Sequence, residues 1–174
     1  THLYRSPLGT ITLAADSEGL TGLWFEGQKY FAATLDAQHE ETMLPIFEQT
    51  RRWLDNYFGG NDPGPTPPLH LQGSPFRLAV WEILRQIPFG KTITYGEIAR
   101  EIARRQGSKT VPAQAVGGAV GHNPVSIIVP CHRVVGSNGS LTGYAGGIER
   151  KVRLLALEKA DMTGLFAPQK GTAL

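Results

Sequence analysis

Cysteine is almost missing from this chain: Cys131 stands alone among 174 residues. One thiol can close no disulfide within the chain and build no zinc cage of several thiolates. A disulfide scaffold is therefore excluded, and a reducing, cytoplasmic compartment is expected. Long apolar runs are missing too. Stretches such as Ile127-Ile128-Val129 fall far short of the ~20 residues that cross a bilayer, and no basic-then-apolar leader is seen, so neither membrane insertion nor secretion is expected. What is present is enough for a core. The hydrophobic share of 41% excludes a disordered tail, and the length fits one domain or two small lobes sharing a core.

The formal net charge of +2 hides an asymmetry. Residues 1–60 carry four Lys and Arg against eight Asp and Glu, a balance of −4, whereas residues 61–174 carry 13 against seven, a balance of +6. A basic second half points to an anionic partner, of which nucleic acid is the commonest.

Turn chemistry divides the chain. Short β-rich runs at Leu3-Tyr4, Gly9 to Ala15 and Leu20 to Phe25, separated by Ser6-Pro7-Leu8-Gly9 and Asp16-Ser17-Glu18-Gly19, predict an antiparallel meander. Leu44, Phe47, Leu54 and Phe58, with Trp53 and Tyr57, predict a helix from Met43 to Phe58 that Gly59-Gly60 stops. Pro63, Pro65, Pro67 and Pro68 then predict an extended, semi-rigid stretch. The expected division is an N-terminal α/β lobe at 1–60, a Pro/Gly-rich linker at 61–73 and a second lobe at 74–174.

That second lobe reads as helical. Ser74-Pro75 is an N-cap with proline at the first helical position. Thr94-Tyr95-Gly96-Glu97 is a capping box opening a helix whose buried face is Ile98, Ala99 and Ile102. A polar turn at 104–110 follows, and Pro112 begins a third helix ending near Gly121. Two short helices joined by a turn in a basic lobe fit a helix-turn-helix. The third helix, Ala113-Gln114-Ala115-Val116-Gly117-Gly118-Ala119-Val120-Gly121, is nearly bald. Its adjacent glycines cost about 2 kcal/mol of helix propensity against alanine, so they predict a close approach, either to another helix or to a groove about 6 Å wide like the DNA minor groove. With few side chains to read bases, sequence-specific recognition is not expected.

Pro130 fixes the backbone before Cys131, and His132 and Arg133 follow at the end of an apolar, strand-like run. A lone buried cysteine is ordinarily a small hydrophobe. An adjacent base and cation lower a thiol's pKa, which favours a nucleophilic site while leaving its reaction open.

Pro130-Cys131-His132-Arg133-Val134 resembles the active-site signature of the O6-alkylguanine-DNA alkyltransferases. The resemblance extends over residues 76–158 through Thr94-Tyr95-Gly96, Ala115-Val116-Gly117-Gly118-Ala119, Asn123-Pro124 and Gly143-Tyr144-Ala145-Gly146-Gly147. It implies a two-lobed α/β (α+β) fold, with a ribonuclease H-like N-terminal sheet and helix and a C-terminal lobe like a winged helix-turn-helix. It further implies a monomer that binds double-stranded DNA through the minor groove and needs no cofactor. By the same resemblance, Cys131 attacks the alkyl carbon of a flipped-out base, because an alkylated O6 cannot be attacked in line within the stack. His132 takes the thiol proton through a water, Glu158 orients the imidazole, and Asn123 bonds near the thiol. Tyr95 donates toward guanine N3. The carbonyls of Cys131 and Val134 accept from the exocyclic amine, the Ala145 amide faces O6, and Tyr144 with Gly146 walls the pocket. Gln114, Ala115, Gly117, Gly118 and Arg133 make up the expected DNA-facing set.

Without the resemblance, Glu158 reads as an exposed helix-end charge, Tyr95 as a first-turn aromatic with its hydroxyl in water, and Arg150, Lys151 and Arg153 as a solvated face. His2, His39, His70 and His122 show no ligand spacing with Cys131, so no metal site is expected. Two positions depart from the family pattern. Gln114 stands where an arginine finger is usual, and Ala145 where serine is common. O4-alkylthymine is a further candidate substrate. The competing readings are a lesion-binding relative without transfer chemistry, a cysteine hydrolase and a winged-helix regulator.

Overall fold

The computed structural model describes residues 1–169. Strands β1 (His2–Ser6), β2 (Gly9–Ala15) and β3 (Leu20–Phe25) form an antiparallel meander. Tyr4 pairs with Ile11, and Leu13 with Leu23. Helix α1 (Pro45–Phe58) packs on β1 and β2, with the Phe47 ring on His2 and the Phe58 ring on Tyr4. It starts two residues later than the sequence reading placed it, at Pro45, where a ring-locked φ and a missing N–H are tolerated.

The second part holds α2 (Pro75–Arg85), α3 (Tyr95–Gln106), α4 (Ala113–Gly121) and α5 (Ile148–Leu157). Both expected caps are present: the Ser74 hydroxyl accepts from the Arg77 amide, and Thr94 and Glu97 form a reciprocal capping box. Helix α3 runs on through Gln106 to Gly107, whose left-handed backbone ends it, so the turn before α4 is shifted toward α4. Helix α4 packs against both α2 and α3, and the Trp81 indole donates to the Ala119 carbonyl at 2.8 Å. A short parallel pair, β4 (Ile93–Thr94) with β5 (Val134–Val135), joins the start of α3 to the residues after Cys131.

One continuous core includes Leu23, Leu54, Trp81, Ile98, Val116, Val125 and Leu154, so the proline-rich stretch separates no two cores. The edge of β3 is covered by two distant segments. Leu20 exchanges backbone bonds with Pro68 and His70, and Leu23 with Pro124 and Ser126. An open strand edge is a template for pairing; here it is used to hold the segment leading to Cys131.

That segment is not the strand its apolar composition predicts. The Ile128 amide donates to the Ser126 carbonyl at 2.8 Å around Ile127, whose φ is +69°, and the Cys131 amide donates to the Val129 carbonyl at 2.8 Å around Pro130. The result is two γ-turns, the first with a β-branched residue in the left-handed region, a strained arrangement held by burial of Ile127.

Candidate active site

The second γ-turn delivers Cys131 into a 3-10 turn, Cys131–Arg133, with all three side chains buried. The Asn123 amide group donates both to Cys131 Sγ at 3.2 Å and to the Val129 carbonyl at 2.7 Å, while its Oδ1 accepts from the Val125 amide. Asn123 thus ties the thiol to the loop that carries it. Burial pushes the Cys131 thiol up from its ordinary pKa, opposed by the Asn123 bond and by the Lys151 charge. Cys131 rests as a thiol.

His132 is wholly buried, and its Nε2 lies 2.6 Å from Glu158 Oε1. Nε2 therefore carries the proton toward the carboxylate, which leaves Nδ1 with its lone pair. Among the described residues Nδ1 has no hydrogen-bond partner. Burial lowers the His132 pKa against the pull of Glu158, so the resting imidazole is neutral and able to accept a proton.

Glu158, at the end of α5, is far from the exposed charge that its helix position alone predicts: it is 3% exposed. Besides His132 it accepts from Arg133 Nε and Nη2, both at 2.9 Å, from the Gly90 amide at 3.0 Å and from the Tyr57 hydroxyl at 2.7 Å. Burial works to raise its pKa, but the His132 and Arg133 bonds and charges override it and hold the carboxyl well below its ordinary value. Gly90 is required there, since its φ is +76° and a Cβ would lie 2.9 Å from the Glu158 carbonyl oxygen.

Arg133 corrects the sequence reading. It is 8% exposed, its fork is spent on Glu158, and Nη1 donates to the Ile87 carbonyl, so it faces no DNA phosphate. Lys151 and Arg150 correct it too. Lys151 is wholly buried and its ammonium donates to the carbonyls of Val134 and Thr142, with burial lowering its pKa to about 8. Arg150 donates to the carbonyls of Leu8, Gly146 and Glu26 and lies over the Phe25 ring. A core-facing lysine at the helical spacing of Leu154 and Leu155 was open to notice in the sequence; its two carbonyl partners were not.

Of the remaining expected residues, Tyr95 and Tyr144 lie beside this centre. The buried Tyr95 hydroxyl donates to the Thr142 carbonyl at 3.0 Å rather than to water. Tyr144 is buried with its ring edge-on to His132, centroids 6.4 Å apart, and a Cβ on Gly146 would lie 2.5 Å from the Tyr144 ring. The Ala145 carbonyl is held by the Lys29 amide. The Val134 carbonyl carries the Lys151 ammonium and the Cys131 carbonyl the Val134 amide, so each has one lone pair still to offer. On α4, Gln114, Ala115 and Gly118 are exposed, whereas Gly117 is buried against the core. A Cβ on Gly118 would meet nothing within 4 Å. Packing inside the molecule therefore does not explain Gly118, and it lies on the outward face with Gln114, which shares a cleft of about 620 Å³ with Tyr95 and Thr142. Among the described residues, no group of three His, Cys, Asp or Glu could hold a metal ion.

Residues 75–160 match the 6-O-methylguanine DNA methyltransferase DNA binding domain, and residues 1–69 the ribonuclease-like domain of the same family. A Haemophilus influenzae protein named methylated-DNA–protein-cysteine methyltransferase is 42% identical over 157 residues, spanning 90% of this chain and 84% of its own. The inducible methylated-DNA–protein-cysteine methyltransferase of Bacillus subtilis is 37% identical, spanning 92% and 84%. The crystal structure of Mycobacterium tuberculosis OGT in complex with DNA superposes with a TM-score of 0.77 at 41% identity, covering 95% of this chain and 98% of that one. With both of its parts matched in order, the chain belongs to the 6-O-methylguanine DNA methyltransferase family.

Proposed function

We propose that this protein repairs DNA by direct reversal, transferring the alkyl group of O6-alkylguanine to its own Cys131. The observation that carries this reading is the buried chain from Asn123 through Cys131 and His132 to Glu158, which supplies a nucleophile, a base and an orienter. The outward face of α4 enters the minor groove and the alkylated base swings out toward Cys131. The thiol proton passes through a water to His132 Nδ1, and the imidazolium so formed faces the Glu158 carboxylate. Sγ bonds to the alkyl carbon as the carbon–O6 bond breaks, and the electron pair leaves on guanine. Tyr95 exchanges the Thr142 carbonyl for guanine N3 and donates a hydrogen bond there, relieving that charge. The carbonyls of Cys131 and Val134, each with a free lone pair, take the exocyclic amine, and the Ala145 amide faces O6.

The thioether has no easy hydrolytic route, so each chain acts once. The presence of Cys131 favours transfer over a lesion-binding role without chemistry. The N-terminal part, residues 1–60, serves as a scaffold that seats the thiol loop on β3, with 61–73 as its connection to the DNA-facing part. A single thiol reagent also suits a reducing compartment such as the cytoplasm, and no described helix is long and apolar enough to cross a membrane. Changing Cys131 to serine tests the reading: methyl transfer from an O6-methylguanine duplex should vanish while duplex affinity persists, and transfer by the serine variant would refute it.

Two outcomes follow for α4. Gly118→Ala should raise stability by about 1 kcal/mol through helix propensity, yet weaken duplex binding because the added methyl stands between helix and groove. Thermal melting and fluorescence anisotropy read the two effects separately, and an unweakened affinity would place α4 outside the groove. Gln114→Arg should tighten duplex binding and steepen its salt dependence by about one counterion. Unchanged affinity and repair rate would mean that position 114 takes no part.

A further inference from the structure

We infer that Tyr57, from the N-terminal part of the chain, is a positioning residue that sets the basicity of His132 through Glu158. This rests on the transfer mechanism proposed above. Tyr57 is fully buried on α1, and its ring is fixed on three sides: parallel to Trp53 at 5.7 Å, and edge-on to Phe58 at 5.4 Å and Phe89 at 6.0 Å. So held, its hydroxyl donates to Glu158 Oε1 at 2.7 Å, the same oxygen that faces His132 Nε2 at 2.6 Å, and it lies 3.4 Å from that nitrogen.

Three donors therefore share one carboxylate oxygen: His132 Nε2, Tyr57 and Arg133 Nη2. Each proton offered to Oε1 draws charge from it and leaves less to stabilise an imidazolium. Tyr57 accordingly damps the pull of Glu158 and helps keep His132 neutral until a substrate arrives. The other charged or titratable groups around the pair are Arg133 on the 3-10 turn, Lys151 on α5, Cys131, and Tyr144 from the loop before α5. Asp55, although on α1, is turned to the Tyr4 hydroxyl. Lys151, with its pKa near 8, titrates on the alkaline side, so the acid limb of the rate profile belongs to His132. Burial beside Glu158 keeps the Tyr57 phenol protonated across this range.

The test is the pH profile of single-turnover methyl transfer from an O6-methylguanine duplex, together with the His132 titration read by ¹⁵N NMR in DNA-free protein. Tyr57→Phe keeps the ring and removes the proton. It should raise the His132 pKa and move the acid limb upward by about half a unit to one unit, the size set by one hydrogen bond to a charged group that is shared with other donors. Site-specific 3-fluorotyrosine at position 57 fills nearly the same space and donates more strongly. It should move both readouts downward, and it secures the test if the phenylalanine variant folds poorly. A titration unmoved by both replacements, with only melting temperature lowered, would overturn the proposal and leave Tyr57 a packing residue. If His132 shifts as expected but even the unaltered protein transfers no methyl group, the repair reading fails while the Tyr57–Glu158–His132 coupling stands.

Discussion

Glu158→Gln should slow methyl transfer by about 10²–10⁴-fold, the range that positioned proton transfer contributes, and destabilise the fold by about 3–5 kcal/mol, as breaking a buried ion pair does. Five hydrogen bonds converge on this carboxylate. Glutamine matches its shape but turns one acceptor into a donor, so whichever way the amide faces it meets an N–H of Arg133, His132 or Gly90. The imidazolium formed in the reaction also loses its counter-charge. A pH signature accompanies the loss. Because the folded carboxyl ionises below its ordinary value of 4.5, its contribution to stability is fully present above that pH and is lost as pH falls through the folded value. Acid denaturation of the unaltered protein should therefore carry a component near and below pH 4.5 that the glutamine variant lacks. Denaturant midpoints taken across that range check the sign, and parallel curves for the two proteins would show that Glu158 is not the buried anion described here.

Asn123→Asp is the second large effect, and it turns on protons rather than shape. The Asn123 amide points its two N–H groups at Cys131 Sγ and the Val129 carbonyl. An aspartate there places acceptor against acceptor, or a negative charge beside a sulfur that must itself become negative. The thiol pKa should rise further and the transfer rate fall by about 10–100-fold, the equivalent of one charge-assisted hydrogen bond. Single-turnover rates measured from pH 6 to 9 check this: the loss should be greatest where the aspartate is ionised, and a rate equal to that of the unaltered protein would remove Asn123 from the mechanism.

The sequence showed what is encoded locally. Ser74-Pro75 and Thr94 through Glu97 each announce a helix start within four residues, and the structure has both caps. Asn123 and Glu158 entered the site reading only through family resemblance, because nothing in their neighbours distinguishes a bridging amide or a buried carboxylate. Tyr57 and Glu158 meet across 101 residues of sequence; no periodicity marks a phenol that leaves its own lobe. Lys151 was read as part of a solvated face and Arg133 as DNA-facing, and both turn inward. A charged residue reads as solvated unless its partners are known, and theirs are the Glu158 carboxylate and the carbonyls of Ile87, Val134 and Thr142. The strand expected before Pro130 failed because β-branched composition reports burial, whereas the backbone there is set by turns that the core holds in place.

On this mechanism Cys131 is a reagent consumed in one step. Its most direct measurement is to mix the protein with a molar excess of O6-methylguanine duplex, then count restored guanines and map the modified peptide by mass spectrometry. The expected result is one methyl group per chain, carried as a thioether on Cys131, with no further product however long the incubation. Repeated turnover, or a methyl group on any other residue, would contradict it.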